Sequence, residues 1–219
     1  MVNDHPDWDF QRQRMVDEQL VPRGIRDPRV LEAMRTIPRH AFVPESVRED
    51  SYADHPLPIG GGQTISQPYI VAMMSELLHL DGSERILEIG AGCGYQTAVL
   101  ASLARCVCAL ELDECLANAA REHLAGFGAP KVDLRRGDGF LPWPGGGEFD
   151  GILCACAPRE LPPALLDQLA LGGRLVIPIG SPGTVQTLFC HHRRHDAGVE
   201  IEHREPVRFV PMRSSRSLS

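Results

Sequence analysis

The 219-residue chain carries 22 Lys and Arg against 29 Asp and Glu, a formal net charge of −7 at pH 7, and 43% of its residues are hydrophobic. One globular α/β domain spanning residues 1–219 is the natural reading of that length and composition. There is no basic excess to displace counterions from phosphates, so no nucleic-acid partner is expected. No apolar run reaches the length of a membrane span, and the polar, acidic start from Met1 to Phe10 is unlike an export signal, so neither a membrane nor secretion is expected.

Taken in order, residues 10–50 predict a helical cover. Met15, Val16, Gln19 and Leu20 fall near one face of an amphipathic helix over residues 10–20, which Pro22 ends. Asp27-Pro28 caps a second helix, with Val30, Leu31 and Met34 turned inward, until Pro38 stops it. Residues 51–68 then read as a long loop containing Gly60, Gly61 and Gly62. Loops of that length inside a compact domain are functional or disordered, and the interleaved Leu57, Ile59 and Ile65 argue for docking. Ser66 stands just before Pro68 and an apolar helical run from Ile70 to Leu78, so it has the credentials of an N-cap as well as those of a site residue.

The core, residues 69–212, is organised around Ile86 to Thr97. Ile86, Leu87 and Ile89 form a buried parallel strand, Gly90, Gly92 and Gly94 a turn, and Tyr95 to Leu103 a helix, together half of a βαβ unit. A dinucleotide fingerprint G-x-G-x-x-G would need glycine where Tyr95 stands. The observed G-x-G-x-G follows an acid, Glu88, which a pyrophosphate would disfavour and a cationic sulfonium would accept. Glu111 ends the next apolar run about twenty residues past Gly90, where an acid accepts from ribose hydroxyls; a solvated acid after a strand is the plain alternative. This arrangement resembles that of class I S-adenosylmethionine (SAM) methyltransferases, which implies a Rossmann-like fold and a mainly parallel sheet.

Asp113 to Phe127 predicts a helix on which His123 is a packed or exposed residue and not a ligand, having no metal-binding partner one turn away. Val132 to Leu134 is a strand ending in Gly137-Asp138-Gly139. There Asp138 could accept from an adenine amino group or serve only the turn. Phe149 to Cys156 is a fourth strand, Pro162 opens a short helix, and Gly172-Gly173 turns the chain into Arg174 to Ile179. Thr184 to Cys190 and Val199 to His203 predict an antiparallel finish, with His191 to His195 at the solvated turn between them, and residues 213–219 a tail. Cys106-x-Cys108 and Cys154-x-Cys156 each share one strand face as small hydrophobes. No C-x-x-C knuckle occurs, so no metal is expected and a reduced, cytoplasmic setting is the default.

From about Met15 to Met212 the chain resembles the protein-L-isoaspartate (D-aspartate) O-methyltransferases. The resemblance is carried in order by Pro56 to Pro68, Leu87 to Thr97, Gly137-Asp-Gly139, Ala157 to Pro162, Gly172 to Pro178 and Val207 to Pro211, and the Gln63-Thr-Ile-Ser66 loop is its most specific part. It implies SAM as cofactor, held by Glu88, Gly90, Gly92, Gly94, Glu111, Asp138 and Gly139. It also implies damaged proteins and peptides containing isoaspartate as partners, bound by Gln63, Thr64, Ile65 and Ser66, with Ser66 in the catalytic role. A monomer is expected. Two departures stand out: Ala155-Cys156 where the family usually has Thr followed by alanines, and Cys93 where Ser or Thr is usual.

Other readings keep parts of this assignment. Relatives methylate a specific aspartate of a biosynthetic peptide, but many carry an added C-terminal region that this chain lacks. A small-molecule O-methyltransferase shares the fold. A catalytically inactive binding module has no chemical reason to keep the glycines, Glu88, Glu111 and Ser66 together.

Overall fold

The computed structural model of the chain describes residues 7–128, 131–194, 196 and 198–215. Helix α1 (Trp8–Met15) starts at Asp7, whose carboxylate accepts the Phe10 N–H at 3.0 Å. The helix widens over Val16–Leu20, tightens over Val21–Arg23 and stops at Gly24 (φ 95°). Asp27 caps α2 (Pro28–Thr36), accepting from the N–H groups of Arg29 and Val30, and α2 buries Val30, Ala33 and Met34.

The stretch expected as an irregular loop is a hairpin, β1 (Leu57–Gly60) and β2 (Gln63–Ile65). Burial of Leu57, Ile59 and Ile65 is a strand alternation in sequence, and the three glycines, at φ 94°, 57° and 70°, provide a turn that Cβ-bearing residues resist. Helix α3 (Pro68–Leu77) begins one residue later than a Ser66 cap requires. Gln67 occupies the cap position and no side chain caps it, so the N-cap reading of Ser66 is corrected.

The remaining elements are β3 (Arg85–Ile89), α4 (Tyr95–Leu103), β4 (Cys106–Glu111), α5 (Glu114–Phe127), β5 (Val132–Arg136), β6 (Phe149–Cys154), α6 (Pro163–Asp167), β7 (Leu169–Ile179), β8 (Gln186–Arg193) and β9 (Val199–Val207). The sheet runs β5-β4-β3-β6-β7-β8-β9, parallel from β5 to β7 and antiparallel from β7 to β9. Period-two alternation divides the core. Ile86, Val107 and Leu153 join the helices of the N-terminal half, and Leu87, Cys108 and Ile152 pack with Trp143 and Leu165.

Two boundaries differ from expectation. Strand β7 starts at Leu169 and runs through Gly172-Gly173, which therefore make no turn. His191, His192 and Arg193 belong to β8, with His191 buried, while His195 lies outside the described residues. All seven cysteines are free thiols.

The N-terminal cover is fixed by buried or half-buried charges. Glu76 accepts the N–H groups of Arg26 and Asp27, both at 2.6 Å. The Arg39 guanidinium, fully buried, donates to Ser51 O at 2.7 Å and stands 5.1 Å over the Tyr95 ring. Arg29 donates to Leu80 O at 2.7 Å and Leu103 O at 2.6 Å, joining α2 to the segment after α3 and to the end of α4. Replacing it by an apolar side chain strips the donors from two carbonyls. Arg29→Met is therefore expected to lower stability by about 1–3 kcal/mol, read as a shift in the urea midpoint at constant slope. A midpoint within experimental scatter of wild type would remove Arg29 from that role.

Candidate active site

Strand β3 lies between β4 and β6, so the chain leaves its carboxyl end at the point where strand order reverses, the usual crevice of an open α/β sheet. The glycine turn is held there by backbone bonds. Gly90 N and Ala91 N donate to Leu110 O at 2.8 and 3.1 Å. Gly92 N donates to Glu111 Oε2 at 2.8 Å, and Asp113 N to Glu111 Oε1 at 2.9 Å. Gly90, Gly92 and Gly94 sit at φ 84°, 57° and 89°, a region in which side chains are strained.

A crevice opens beside this turn, about 530 Å³ counting the space open to solvent, bounded by Gly90, Gly92, Glu111, Gly137 and Gly139. Its far wall is the segment Val210 to Arg213. That segment is tied down by Ala157 N donating to Val210 O and Met212 N to Ala157 O, at 2.9 and 2.8 Å. Two further spaces adjoin it. A small inner pocket is lined by Ile65, Ser66, Gly90, Gly92 and Gln96 among others. An outer groove of about 1140 Å³, partly open to solvent, is lined by Ser66, Gln67, Glu205, Arg208 and Phe209 among others. Thr64 and Ala155 line all three spaces, and Ser66 lines the inner pocket and the groove.

Of the residues expected to hold a cofactor, Gly90, Gly92, Glu111 and Gly139 line the crevice, and three do not. Gly94 packs under α5: a Cβ there would stand 3.3 Å from both Ala120 Cβ and Leu124 Cγ. Asp138 is turned away. Its Oδ1 accepts Phe140 N, and its Oδ2 accepts Ser214 Oγ, Ser215 N and Ser215 Oγ at 2.9, 2.7 and 2.8 Å. Burial raises its pKa, but the Phe140 and Ser215 N–H bonds and the two serine hydroxyls outweigh that and hold the carboxyl below its ordinary value. Asp138 therefore anchors the crevice wall through Ser214 and Ser215, and its side chain is not among those that line the crevice.

Glu88 is the third. Its side chain is wholly buried on β3 outside the lining of all three spaces, and neither oxygen has a hydrogen-bond partner among the described residues. Burial pushes its carboxyl up to about 7; the neighbouring Thr97 hydroxyl, itself without hydrogen-bonding geometry, eases the shift and Glu111 adds to it. A contact between Glu88 and a crevice ligand is not what the structure presents.

Of the four expected substrate residues, Gln63 and Thr64 reach the crevice, Ile65 is buried against the inner pocket, and Ser66 stands at the groove. Sequence reasoning missed Ile59 and the wall from Val210 to Arg213. Only tertiary closure brings that wall across, and the Val207 to Pro211 motif carries no local mark of it. Among the described residues no group of three or more His, Cys, Asp and Glu is placed to hold a metal, and no helix is long and apolar enough to cross a membrane.

The crevice fits SAM on its own features. A Cβ at Gly139 would stand 2.2 Å from Ile89 Cγ2 and 2.8 Å from Met212 Cε, so only a glycine fits beside Ile89 and Met212 at this edge of the crevice. Each Glu111 oxygen accepts one backbone N–H and keeps acceptor capacity for a diol at the crevice edge. With Tyr95 standing where a dinucleotide fingerprint needs its third glycine, this glycine turn at the switch point of a mainly parallel sheet with an antiparallel end has the architecture of a class I SAM-dependent methyltransferase.

Comparison with known proteins narrows the class. A sequence model of the protein-L-isoaspartate(D-aspartate) O-methyltransferases matches residues 11–217. A protein-L-isoaspartate O-methyltransferase 2 of Marinobacter nauticus is 52% identical over 212 residues, 97% of each chain. One of Anaeromyxobacter sp. is 54% identical over 203 residues, covering 93% of this chain and 83% of that one. A Plasmodium falciparum structure described as a protein-L-isoaspartate O-methyltransferase in complex with S-adenosyl-L-homocysteine aligns with TM-score 0.78 at 25% identity, covering 92% and 98% of the two chains. Another protein-L-isoaspartate O-methyltransferase aligns at 0.82 and 27% identity over 91% of this chain, which spans 65% of that longer one. The chain belongs to the protein-L-isoaspartate (D-aspartate) O-methyltransferase family.

Two measurements test this geometry. Glu111→Ala removes the acceptor of Gly92 N as well as the diol acceptor, so SAM affinity measured by calorimetry is expected to fall by at least ~1–3 kcal/mol. Unchanged affinity in a folded variant would take Glu111 out of the site. Glu88 gives a pH signature. Between its ordinary pKa near 4.5 and its folded value of about 7, the folded chain holds a proton that the unfolded chain has lost. Stability therefore falls as pH rises through that window and levels off above it. In Glu88→Gln that component, up to about 3 kcal/mol, is expected to vanish; stability curves for the two proteins that run parallel from pH 4 to 8 would contradict it.

Proposed function

We propose that the chain methylates the free carboxyl of L-isoaspartyl and D-aspartyl residues in damaged proteins, with the crevice holding SAM and the outer groove holding the acceptor segment. The observation that carries the reading is the Ser66 hydroxyl. It has no hydrogen-bond partner among the described residues, and it lines both the groove and the inner pocket that adjoins the glycine turn. Thr64 and Ser66 both line the groove and the inner pocket, so two hydroxyls border the passage between groove and crevice.

Bound SAM supplies an electrophilic methyl group. Glu111 accepts from the ribose, and Gly90, Gly92 and Gly139 give the cofactor backbone to lie against. The acceptor carboxylate is ionised at neutral pH, its reference pKa being near 4, so no general base is required. What remains is orientation, which Ser66 provides by donating one hydrogen bond to an acceptor oxygen, with Thr64 beside it. The ester formed on the substrate is then open to attack by the following backbone nitrogen. That attack releases methanol and leaves a succinimide, which water opens in part to normal aspartate. The chain works as one domain, as a monomer, on protein substrates in the cytoplasm, without nucleic acid or membrane.

The test is methyl transfer from labelled SAM to matched peptides containing aspartate or isoaspartate, with the isoaspartyl peptide alone expected to be labelled. Because Ser66 caps no helix, Ser66→Ala is expected to change stability by no more than ~0.5 kcal/mol. Its kcat/KM should drop roughly 10- to 100-fold, as for a lost bond to a charged group, with SAM affinity kept. Ser66→Asp, which repels the acceptor carboxylate, should lose most of the remaining activity. Near-normal turnover by both variants would exclude Ser66 from the reaction.

A further inference from the structure

The outer groove carries three charged side chains: Arg23, Glu205 and Arg208. Two of them are engaged. Arg23 pairs with Asp54 at 3.0 Å and stacks 3.5 Å over the Tyr69 ring, and Glu205 accepts the Tyr69 hydroxyl at 2.9 Å. Arg208 is exposed and has no hydrogen bond, ion pair or ring contact for its side chain among the described residues. It follows directly on Val207, the buried end of β9, so its backbone is fixed by the sheet while its guanidinium is free.

Its position separates it from the acceptor carboxylate. Thr64, Ser66 and Ala155 line the groove and also the spaces next to the glycine turn, whereas Arg208 lines the groove alone. A guanidinium placed there meets the chain on either side of the residue being methylated. The protein as a whole is acidic, with net charge −7, so an anionic substrate is repelled at long range and this unpaired cation is a local exception.

Resting on the isoaspartyl reading of the same site, we propose that Arg208 is a specificity-determining residue: it selects acceptor segments with an acidic side chain flanking the isoaspartyl residue. The guanidinium presents a planar fork of donors to that carboxylate, a geometry that an ammonium does not reproduce.

The experiment uses isoaspartyl peptides with a single Glu or Gln at each of the two positions before and after the damaged residue, assayed with wild type, Arg208→Gln and Arg208→Lys. For at least one position, wild type is expected to show a kcat/KM up to about fivefold higher for Glu than for Gln at low salt, the range of an exposed ion pair. The difference should lie in KM with kcat unchanged, since a flanking contact binds ground and transition states alike. Peptide Kd values measured on protein saturated with S-adenosylhomocysteine should show the same preference. The ratio should fall to about one in Arg208→Gln and lie between in Arg208→Lys. In wild type it should collapse as ionic strength rises, a readout that needs no variant. A Glu-to-Gln ratio of one at all four positions in wild type, or a preference that persists in folded Arg208→Gln, overturns the proposal and leaves the isoaspartyl reading standing. If no isoaspartyl peptide is methylated, that reading fails and takes this proposal with it.

Discussion

Glu111 joins the fold to the site. Its two oxygens take the N–H groups of Gly92 and Asp113, one from the glycine turn after β3 and one from the cap of α5. Each of these bonds satisfies a backbone N–H at an otherwise open turn, and losing the side chain would leave both donors without that partner. The turn needs such an anchor because its glycines, at positive φ, have the most conformational freedom to lose on folding. The carboxylate that edges the crevice is thus the one that shapes it. On the proposed cofactor role of Glu111, cofactor affinity and turn geometry would be coupled through one group.

The opposite wall depends on a second carboxylate used in another way. Asp138 collects Ser214 and Ser215 on Oδ2, Ala157 brackets Val210 and Met212 by main-chain bonds, and Arg213 stands 3.9 Å from Asp113. The last described residues therefore complete a site begun more than a hundred positions earlier in the chain. Asp138 acts on the crevice through this segment. Its importance to the site follows from the wall it holds, even though its oxygens point elsewhere.

These cases mark what the chain discloses before folding. The strand, glycine turn and helix around Gly90 and the acid ending β4 are local patterns, and each stands where the pattern puts it; the helix expected from Asp113 starts one residue later, with Asp113 as its cap. The hairpin in residues 57–65 was also written locally, in the alternation of Leu57, Ile59 and Ile65, but the surrounding glycines and prolines disguise it as loop. Asp138 and Glu88 differ in kind. That an acid follows a strand is legible, but which way it turns depends on partners distant in sequence, Ser214 and Ser215 for one and the packed face under α4 for the other. Ser66 shows the same limit: a serine two residues before Pro68 fits a helix cap, and only the backbone decides that Gln67 takes the position.

The departure at Ala155 can now be placed. Ala155 lines the crevice, the inner pocket and the groove, and its N–H donates to Ile89 O at 2.8 Å, so β3 fixes its Cβ at their junction. A threonine there, as is usual in the family, would add a hydroxyl to the passage; alanine leaves it a methyl wall. The hydrogen-bonding burden on Thr64 and Ser66 rises accordingly, because they are the hydroxyls left at that junction. A missing hydroxyl also removes one competitor for the acceptor carboxylate and one group that must be desolvated when the passage fills. The net effect on the reaction is the difference between one lost donor and one desolvation avoided, two quantities of the same order. The departure is therefore compatible with the same chemistry, and on the proposed role of Ser66 it would make the orientation of the acceptor depend more heavily on the Gln63 to Ser66 segment than a threonine at position 155 would.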